Sequence, residues 1–227
     1  MSYDTQVDVV VVGAGLSGLR AAVDLHKAGL SVAVLEARDR VGGKTLSVAA
    51  SHLGGNVDLG AAWINDTNQS EMYKLAREFG FDLVEQRATG FSLSRNSQRQ
   101  LTRTSFGEPQ RTSPEEFEAV GALFEKLVGT IAKAHPEWPH LTPGAVDLDS
   151  MTFAEWARRA SESEIGVTVA NRLSTALLGV EAEETSALFM IDYIQSGTGL
   201  ENMVSDMKNG GQFLRNRQGA NSILNYT

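Results

Sequence analysis

The chain has 227 residues, of which 42% are hydrophobic and 21% charged, and a net charge of -8. This is the composition of an ordinary globular chain, and its acidity offers no footprint for nucleic acid or an anionic membrane surface. Cysteine is absent, which excludes disulfides, thiolate metal sites and thiol chemistry. No long apolar run reads as a membrane span, and no basic-then-apolar start reads as a secretory signal, so the expected setting is intracellular.

The most informative elements come first. Val9 to Val12 form a continuous apolar run, which predicts a strand buried on both faces. Gly13, Gly15 and Gly18 then give G-x-G-x-x-G. A helix follows, with Leu19, Ala22, Val23 and Leu25 on one side, and Gly29 is placed to end it. Ser31 to Leu35 predict a second strand, closed by Glu36. The order strand, glycines, helix, strand and acid is a complete βαβ dinucleotide fingerprint in its proper context.

Each residue has a mechanical reason. Gly13 permits the tight turn, Gly15 lets a pyrophosphate approach the backbone, and Gly18 lets the helix pack closely on the strand. The helix start presents free amides and partial positive charge. Gly13, Ala14, Gly15, Leu16, Ser17 and Gly18 are therefore the candidate phosphate loop. Glu36 lies where a carboxylate can accept hydrogen bonds from ribose hydroxyls and would repel a 2′-phosphate, which argues against NADP. Beyond it come Ala37, Arg38, Asp39 and Arg40, then Gly42, Gly43, Lys44 and Thr45. A second glycine pair with a cation and a hydroxyl suits a second approach to a pyrophosphate; the plain alternative is a Gly-Gly turn with solvated charges.

Farther along, Met72 to Phe79 predict a helix with Met72, Leu75, Ala76 and Phe79 inward, and Leu83 and Val84 a short strand. Gly90 to Thr112 are rich in Ser, Arg, Gln and Thr and predict an exposed excursion. Ser113-Pro114-Glu115-Glu116 predicts a capped helix start, continued by an apolar face of Phe117, Val120, Phe124, Leu127 and Ile131. His135 to Pro143 form a connector. Thr152-x-x-Glu155 opens another helix with Phe153, Trp156 and Ala157 inward, and helices are expected at Val167 to Leu178 and Thr185 to Gln195.

Other clusters read as ordinary. The four histidines have no helical metal-pair spacing, so no metal site is expected. Glu181, Glu183 and Glu184 fit a solvated helix entrance, Arg158 and Arg159 a solvated face, and no Ser-His-Asp set stands out.

The stretch LEARDRVGGKT resembles the second FAD motif of the flavin-containing amine oxidases. Asp58-Leu59-Gly60-Ala61-Ala62-Trp63 resembles the segment by which that family passes the flavin ring. Asp149 to Glu155, Val180 to Tyr193 and Asn209-Gly210-Gly211-Gln212 resemble substrate-domain segments of the monoamine oxidases, most of all the fungal type. The likeness covers most of the chain except residues 87–143. Lys44 departs from the arginine usual there, keeping the charge but losing the planar fork.

The resemblance implies an α/β fold: a Rossmann-like FAD-binding βαβ unit of a doubly wound parallel sheet, then a mostly helical part of a substrate domain. It implies an FAD-binding segment at 1–86, a substrate segment at 87–213 and an incomplete return at 214–227, in a chain much shorter than family members. FAD would be held by residues 13–18, by Glu36, Ala37 and Arg38, by Gly42, Gly43, Lys44 and Thr45, and by Gly60, Ala61, Ala62 and Trp63. Trp63, Leu178 and Gln212 would line the amine site; the plain alternatives are core aromatic, core and turn. The implied activity is oxidation of an amine by dioxygen, with imine and hydrogen peroxide as products; no catalytic side chain is assigned. The alternatives are a truncated, non-catalytic remnant of such an enzyme that binds flavin weakly or not at all, and a polyamine oxidase.

Overall fold

The computed structural model describes residues 6–50, 52, 54–95, 99–108 and 113–225. Residues 96–98 and 109–112 of the polar excursion, and the terminal pair 226–227, lie outside the described residues. In chain order the strands and helices are β1 (Val9–Val12), α1 (Leu16–Lys27), β2 (Val32–Leu35), β3 (Ser47–Ala49), β4 (Asn56–Asp58), β5 (Trp63–Ile64), α2 (Ser70–Glu78) and β6 (Leu83–Glu85). They continue as β7 (Phe91–Arg95), β8 (Leu101–Ser105), α3 (Pro114–Ile131), α4 (Ala145–Ser150), α5 (Phe153–Ser161), α6 (Glu164–Leu178), α7 (Ala187–Ser196), α8 (Leu200–Val204) and β9 (Leu214–Asn216). The chain divides into two compact units, Met1–Gln86 with Asp206–Thr227, and Arg87–Ser205. Residues from Asp206 onward belong to the first unit.

The first unit opens with the βαβ turn. β1 and β2 pair in parallel, Val9 opposite Val32 through Val12 opposite Leu35. Val9 and Gly13 donate their amides across to Ser31 O and Leu35 O. α1 starts at Gly15, whose extended backbone forms the N-cap without a side chain. It ends in a Schellman pair: Gly29 N–H donates to His26 O at 2.9 Å and Leu30 N–H to Leu25 O at 3.1 Å. Gly29 supplies the left-handed φ of +86° that this stop requires.

The expectation that β1 is buried on both faces is corrected. Val9 and Val11 lie half-buried, while Val10 is exposed and Val12 is 84% exposed. In this parallel register Val10, Val12, Ala33 and Leu35 share one face, and three of the four, Val10, Val12 and Leu35, are exposed among the described residues. The apolar run records a strand meant for two-sided burial; the two-stranded pair buries one side.

The unit's buried core lies elsewhere. Ile64, Ala76, Phe81, Phe213 and Leu214 cluster together, with Leu16, Met72, Tyr73, Phe79 and Leu83 packed around them. β9 supplies part of that core by pairing antiparallel with both β5 and β6. A second small pair, β3 with β4, is also antiparallel.

The second unit is mostly helical. α3 begins as expected: Glu116 N–H donates to Ser113 Oγ at 3.1 Å and Ser113 N–H to Glu116 Oε2 at 2.9 Å. Its buried stripe is Ala119, Leu123 and Leu127, rotated from the expected face; Phe117 is 74% exposed. The helix is apolar over two neighbouring stripes, and packing of α5, α6 and α7 selects the one carrying the small Ala119. α5 follows its signal closely, with Thr152 Oγ1 accepting from Glu155 N–H at 3.1 Å and Phe153, Trp156 and Ala157 buried. Phe153 stacks on Trp156 with ring centroids 5.7 Å apart. Met190, Ile191 and Ile194 of α7 complete the core.

The polar excursion contains a structured hairpin, β7 with β8. Phe91, Leu93, Leu101 and Arg103 share one face, and the Arg103 guanidinium lies 3.6 Å from the Phe91 ring centroid. The apolar residues of that face are exposed and the opposite face is Ser92, Ser94, Thr102 and Thr104, so composition conceals the strands. Glu181, Glu183 and Glu184 sit in the turn before α7, where Glu184 accepts from Glu181 N–H.

Candidate functional site

The first unit brings three backbone segments together. The loop after β1 turns at Gly13, at φ +97°. A Cβ on Gly18 would stand 2.0 Å from Gly13 O and 3.4 Å from a Val11 methyl, so α1 can sit this close only with glycine there. The second segment crosses the first: Gly42 N–H donates to Ala14 O at 2.7 Å, and Gly15 bridges Gly42 in parallel. A Cβ on Gly43, itself at φ +57°, would meet Gly15 Cα at 3.2 Å. The third segment joins the second, with Ala61 N–H to Lys44 O at 3.1 Å and Leu59 N–H to Leu46 O at 2.7 Å. A Cβ on Gly60 would fall 2.0 Å from Lys44 O. The segments marked by Gly13–Gly18, Gly42–Thr45 and Gly60–Trp63 are therefore contiguous.

Within this crossing Ala14 and Thr45 are buried. Thr45 Oγ1 donates to Gly42 O at 2.9 Å, so its hydroxyl proton is used to hold the turn. Lys44 is exposed, as is Ser17 on the first turn of α1. The amides of Leu16, Ser17 and Gly18 precede the first intrahelical donor, Leu19 N–H to Gly15 O, and carry the helix's partial positive charge.

Glu36 has a role its sequence position did not show. Its Oε2 accepts from Ala14 N–H at 2.8 Å and its Oε1 from Arg38 N–H at 2.9 Å. One carboxylate ties the end of β2 to the glycine loop and orders the start of the next segment. Those amides, Arg38 first and Ala14 next, hold its carboxyl below the usual carboxylate range. Each oxygen keeps further acceptor capacity. Arg38 and Ala37 are exposed.

Trp63 opens β5 and is 38% exposed. Gln212 follows the turn Asn209–Gly211 and is half-buried, two residues before β9. The two neighbourhoods are tied: β5 pairs with β9, and Thr67 Oγ1 lies 3.1 Å from Asn209 Oδ1. Leu178 is the last residue of α6 in the second unit, where it packs against that unit's helical core.

Two cations gain roles here that their place in the sequence does not show. Arg40 donates to Thr45 O at 3.2 Å, Gly43 O at 2.9 Å and Val41 O at 3.3 Å, clamping the second glycine turn. Arg215 of β9 stands over the Trp63 ring, its Cζ 4.8 Å from the centroid, and pairs with Asp58 at 3.4 Å. Nothing local announced it, because the pairing is cross-strand. Among the described residues no group of three or more His, Asp or Glu is placed to hold a metal ion. Among them no helix is long and apolar enough to cross a membrane.

Comparison with known proteins agrees with this assembly. The family of flavin containing amine oxidoreductases matches residues 16–226. Putrescine oxidase of Kocuria rosea is 38% identical over 175 residues, spanning 74% of this chain and 35% of its own. Amine oxidase [flavin-containing] B of Homo sapiens is 32% identical over 213 residues, 90% of this chain and 39% of its own. Among solved structures, putrescine oxidase bound to putrescine superposes with a TM-score of 0.82 at 29% identity, covering 96% of this chain and 48% of its own. Cyclohexylamine oxidase from Brevibacterium oxydans gives 0.84 at 27% identity, with the same coverages. The chain thus spans half or less of the length of these relatives. With the glycine crossing, the acid at the end of β2 and a family match over nearly its whole length, the chain belongs to the flavin-containing amine oxidoreductases.

Proposed function

We propose that this chain carries the FAD-binding segment, and part of the amine-facing wall, of an FAD-dependent amine oxidase. The reaction removes two electrons and two protons from a primary or secondary amine to give an imine, and dioxygen takes them up as hydrogen peroxide. When bound, the flavin supplies the two-electron acceptor for the amine and the donor to dioxygen. The observation that carries the reading is the glycine crossing, where three backbone segments meet with no side chain between them.

The residues present fit the cofactor. The amides of Leu16, Ser17 and Gly18, with Gly13, Ala14 and Gly15, would hold the pyrophosphate. Glu36, with its remaining acceptor sites, would take ribose hydroxyls, flanked by Ala37 and Arg38. Gly42, Gly43 and Lys44 would approach the pyrophosphate from the second side, with buried Thr45 and Arg40 fixing that turn. Gly60, Ala61, Ala62 and Trp63 would pass the ring. Trp63 and Gln212 would orient an uncharged amine and exclude water beside it; Leu178 is included on the resemblance alone. No side chain of this chain is assigned as an acid or base.

The test is the visible spectrum of the purified chain after incubation with FAD and desalting. A retained flavin band is expected, and a colourless protein would overturn the assignment. One observation favours a second reading, a non-catalytic remnant that binds flavin weakly or not at all. Val10, Val12 and Leu35 are exposed on β1 and β2, and a groove of about 380 Å³ is open between α1, Val32, Val34 and Phe79. Benzylamine-dependent peroxide formation by the 227-residue chain alone would overturn that second reading. As to substrate, the relatives named above include a diamine, a monoamine and a cyclic-amine oxidase. The reading therefore extends to amines as a class.

A further inference from the structure

We propose that Arg215 is a positioning residue that acts through Trp63, with Asp58 as its anchor. Trp63 and Arg215 are direct cross-strand partners in the β5–β9 pair. Such partners point to the same side of the sheet, and the guanidinium covers one face of the indole at 4.8 Å. Trp63 needs such a support: its strand has only two residues, its side chain is partly exposed, and it lies outside the buried cluster formed by Ile64, Phe81 and Phe213.

The guanidinium is itself held. The Asp58 side chain is only 4% exposed. Its Oδ1 accepts from Ser47 Oγ at 2.5 Å and from Ala220 N–H at 2.9 Å, and its Oδ2 faces Arg215 at 3.4 Å. Ser47 Oγ in turn accepts from Asn221 N–H at 3.0 Å. A carboxylate fixed by two donors on one oxygen and an arginine on the other is a rigid point from which to aim the guanidinium fork. The chain of contacts runs from β4 through Arg215 to the exposed indole. A cation on one face of that ring also makes the opposite face a poorer seat for a second cation, so Arg215 biases the site towards an uncharged amine.

The bias towards an uncharged amine rests on the proposed role of Trp63 at the flavin; the positioning of the ring does not. The experiment separates the two. The chain is labelled with 5-fluorotryptophan, and the fluorine signal of Trp63 is identified by its loss in Trp63→Phe. Arg215→Met is expected to shift and broaden that signal, Arg215→Lys to restore part of the wild-type position, and Asp58→Asn to reproduce the Arg215→Met change. The methyl signal of Met72, in the same unit's core, reports whether each variant is folded. A Trp63 signal unmoved in folded Arg215→Met would overturn the proposal, whatever Asp58→Asn does. FAD is then added to the wild type. A Trp63 signal that responds to Arg215→Met but not to FAD would keep the positioning role and remove Trp63 from the flavin site.

Discussion

Gly18→Ala is the sharpest test of the glycine crossing. The added methyl would stand 2.0 Å from Gly13 O, against an ordinary contact of 3.4 Å or more. The neighbour is backbone, so relief requires α1 to move away from the loop by about 1.4 Å, the difference of those two distances. Overpacking of this kind costs about 1–3 kcal/mol, and a clash with a fixed carbonyl belongs at the upper end. If the displaced loop passes the whole of about 3 kcal/mol to its ligand, FAD binding weakens about 100-fold. The assay is a flavin fluorescence titration beside a urea melt of the unliganded chain. Gly121→Ala is the control: a Cβ there meets nothing within 4 Å in the interior of α3. Helix propensity alone predicts a gain of about 0.8–1 kcal/mol for it. A Gly18→Ala chain with wild-type melting midpoint and FAD affinity would refute the close-approach argument.

Glu36 should give flavin retention and first-unit stability an acid limb. Its folded carboxyl lies below the usual range, so its contribution is complete above the unfolded value. That contribution is lost as pH falls through the lower folded one. Glu36→Gln should flatten that limb in an acid titration followed by circular dichroism, leaving the shares of Asp8, lowered by Ser31, and of Glu71, lowered by Lys74; an unchanged limb would remove Glu36 from it. Phe153→Ala empties a fully buried site stacked on Trp156 and should cost about 3–5 kcal/mol by urea melt; a loss under about 1 kcal/mol would mean that the site collapses or is wet. Ser113→Ala removes the reciprocal cap of α3 and should cost about 1 kcal/mol, whereas Ser113→Asp should keep most of it.

What the sequence disclosed was local. The βαβ turn, the Gly29 stop and the caps at Ser113 and Thr152 each depend on residues within one turn of the chain, and the structure has them where the spacing put them. The family was legible for a related reason, since its motifs are short backbone constraints. What stayed hidden depends on partners far along the chain. α3 has two apolar stripes, and only the helices packed on it choose between them. The hairpin β7–β8 turns an apolar side outward, so no inward alternation marks it. The distance of Glu36 from the glycines points only to a ribose ligand; its bond to the Ala14 amide exists only once β1 and β2 have paired. Arg215 became visible only when β9 was laid beside β5.

β9 also bears on the order of folding. It closes the first unit's three-stranded sheet, yet the whole of Arg87–Ser205 is threaded between β6 and its arrival. During synthesis β5 and β6 emerge without the strand that joins them and must wait for it. The helical second unit, built from nearby segments, can settle in that interval. Once it has done so, the closure no longer has to gather a long unstructured loop. A lesion such as Phe153→Ala, wholly inside the second unit, should therefore slow the appearance of the first unit's sheet as well.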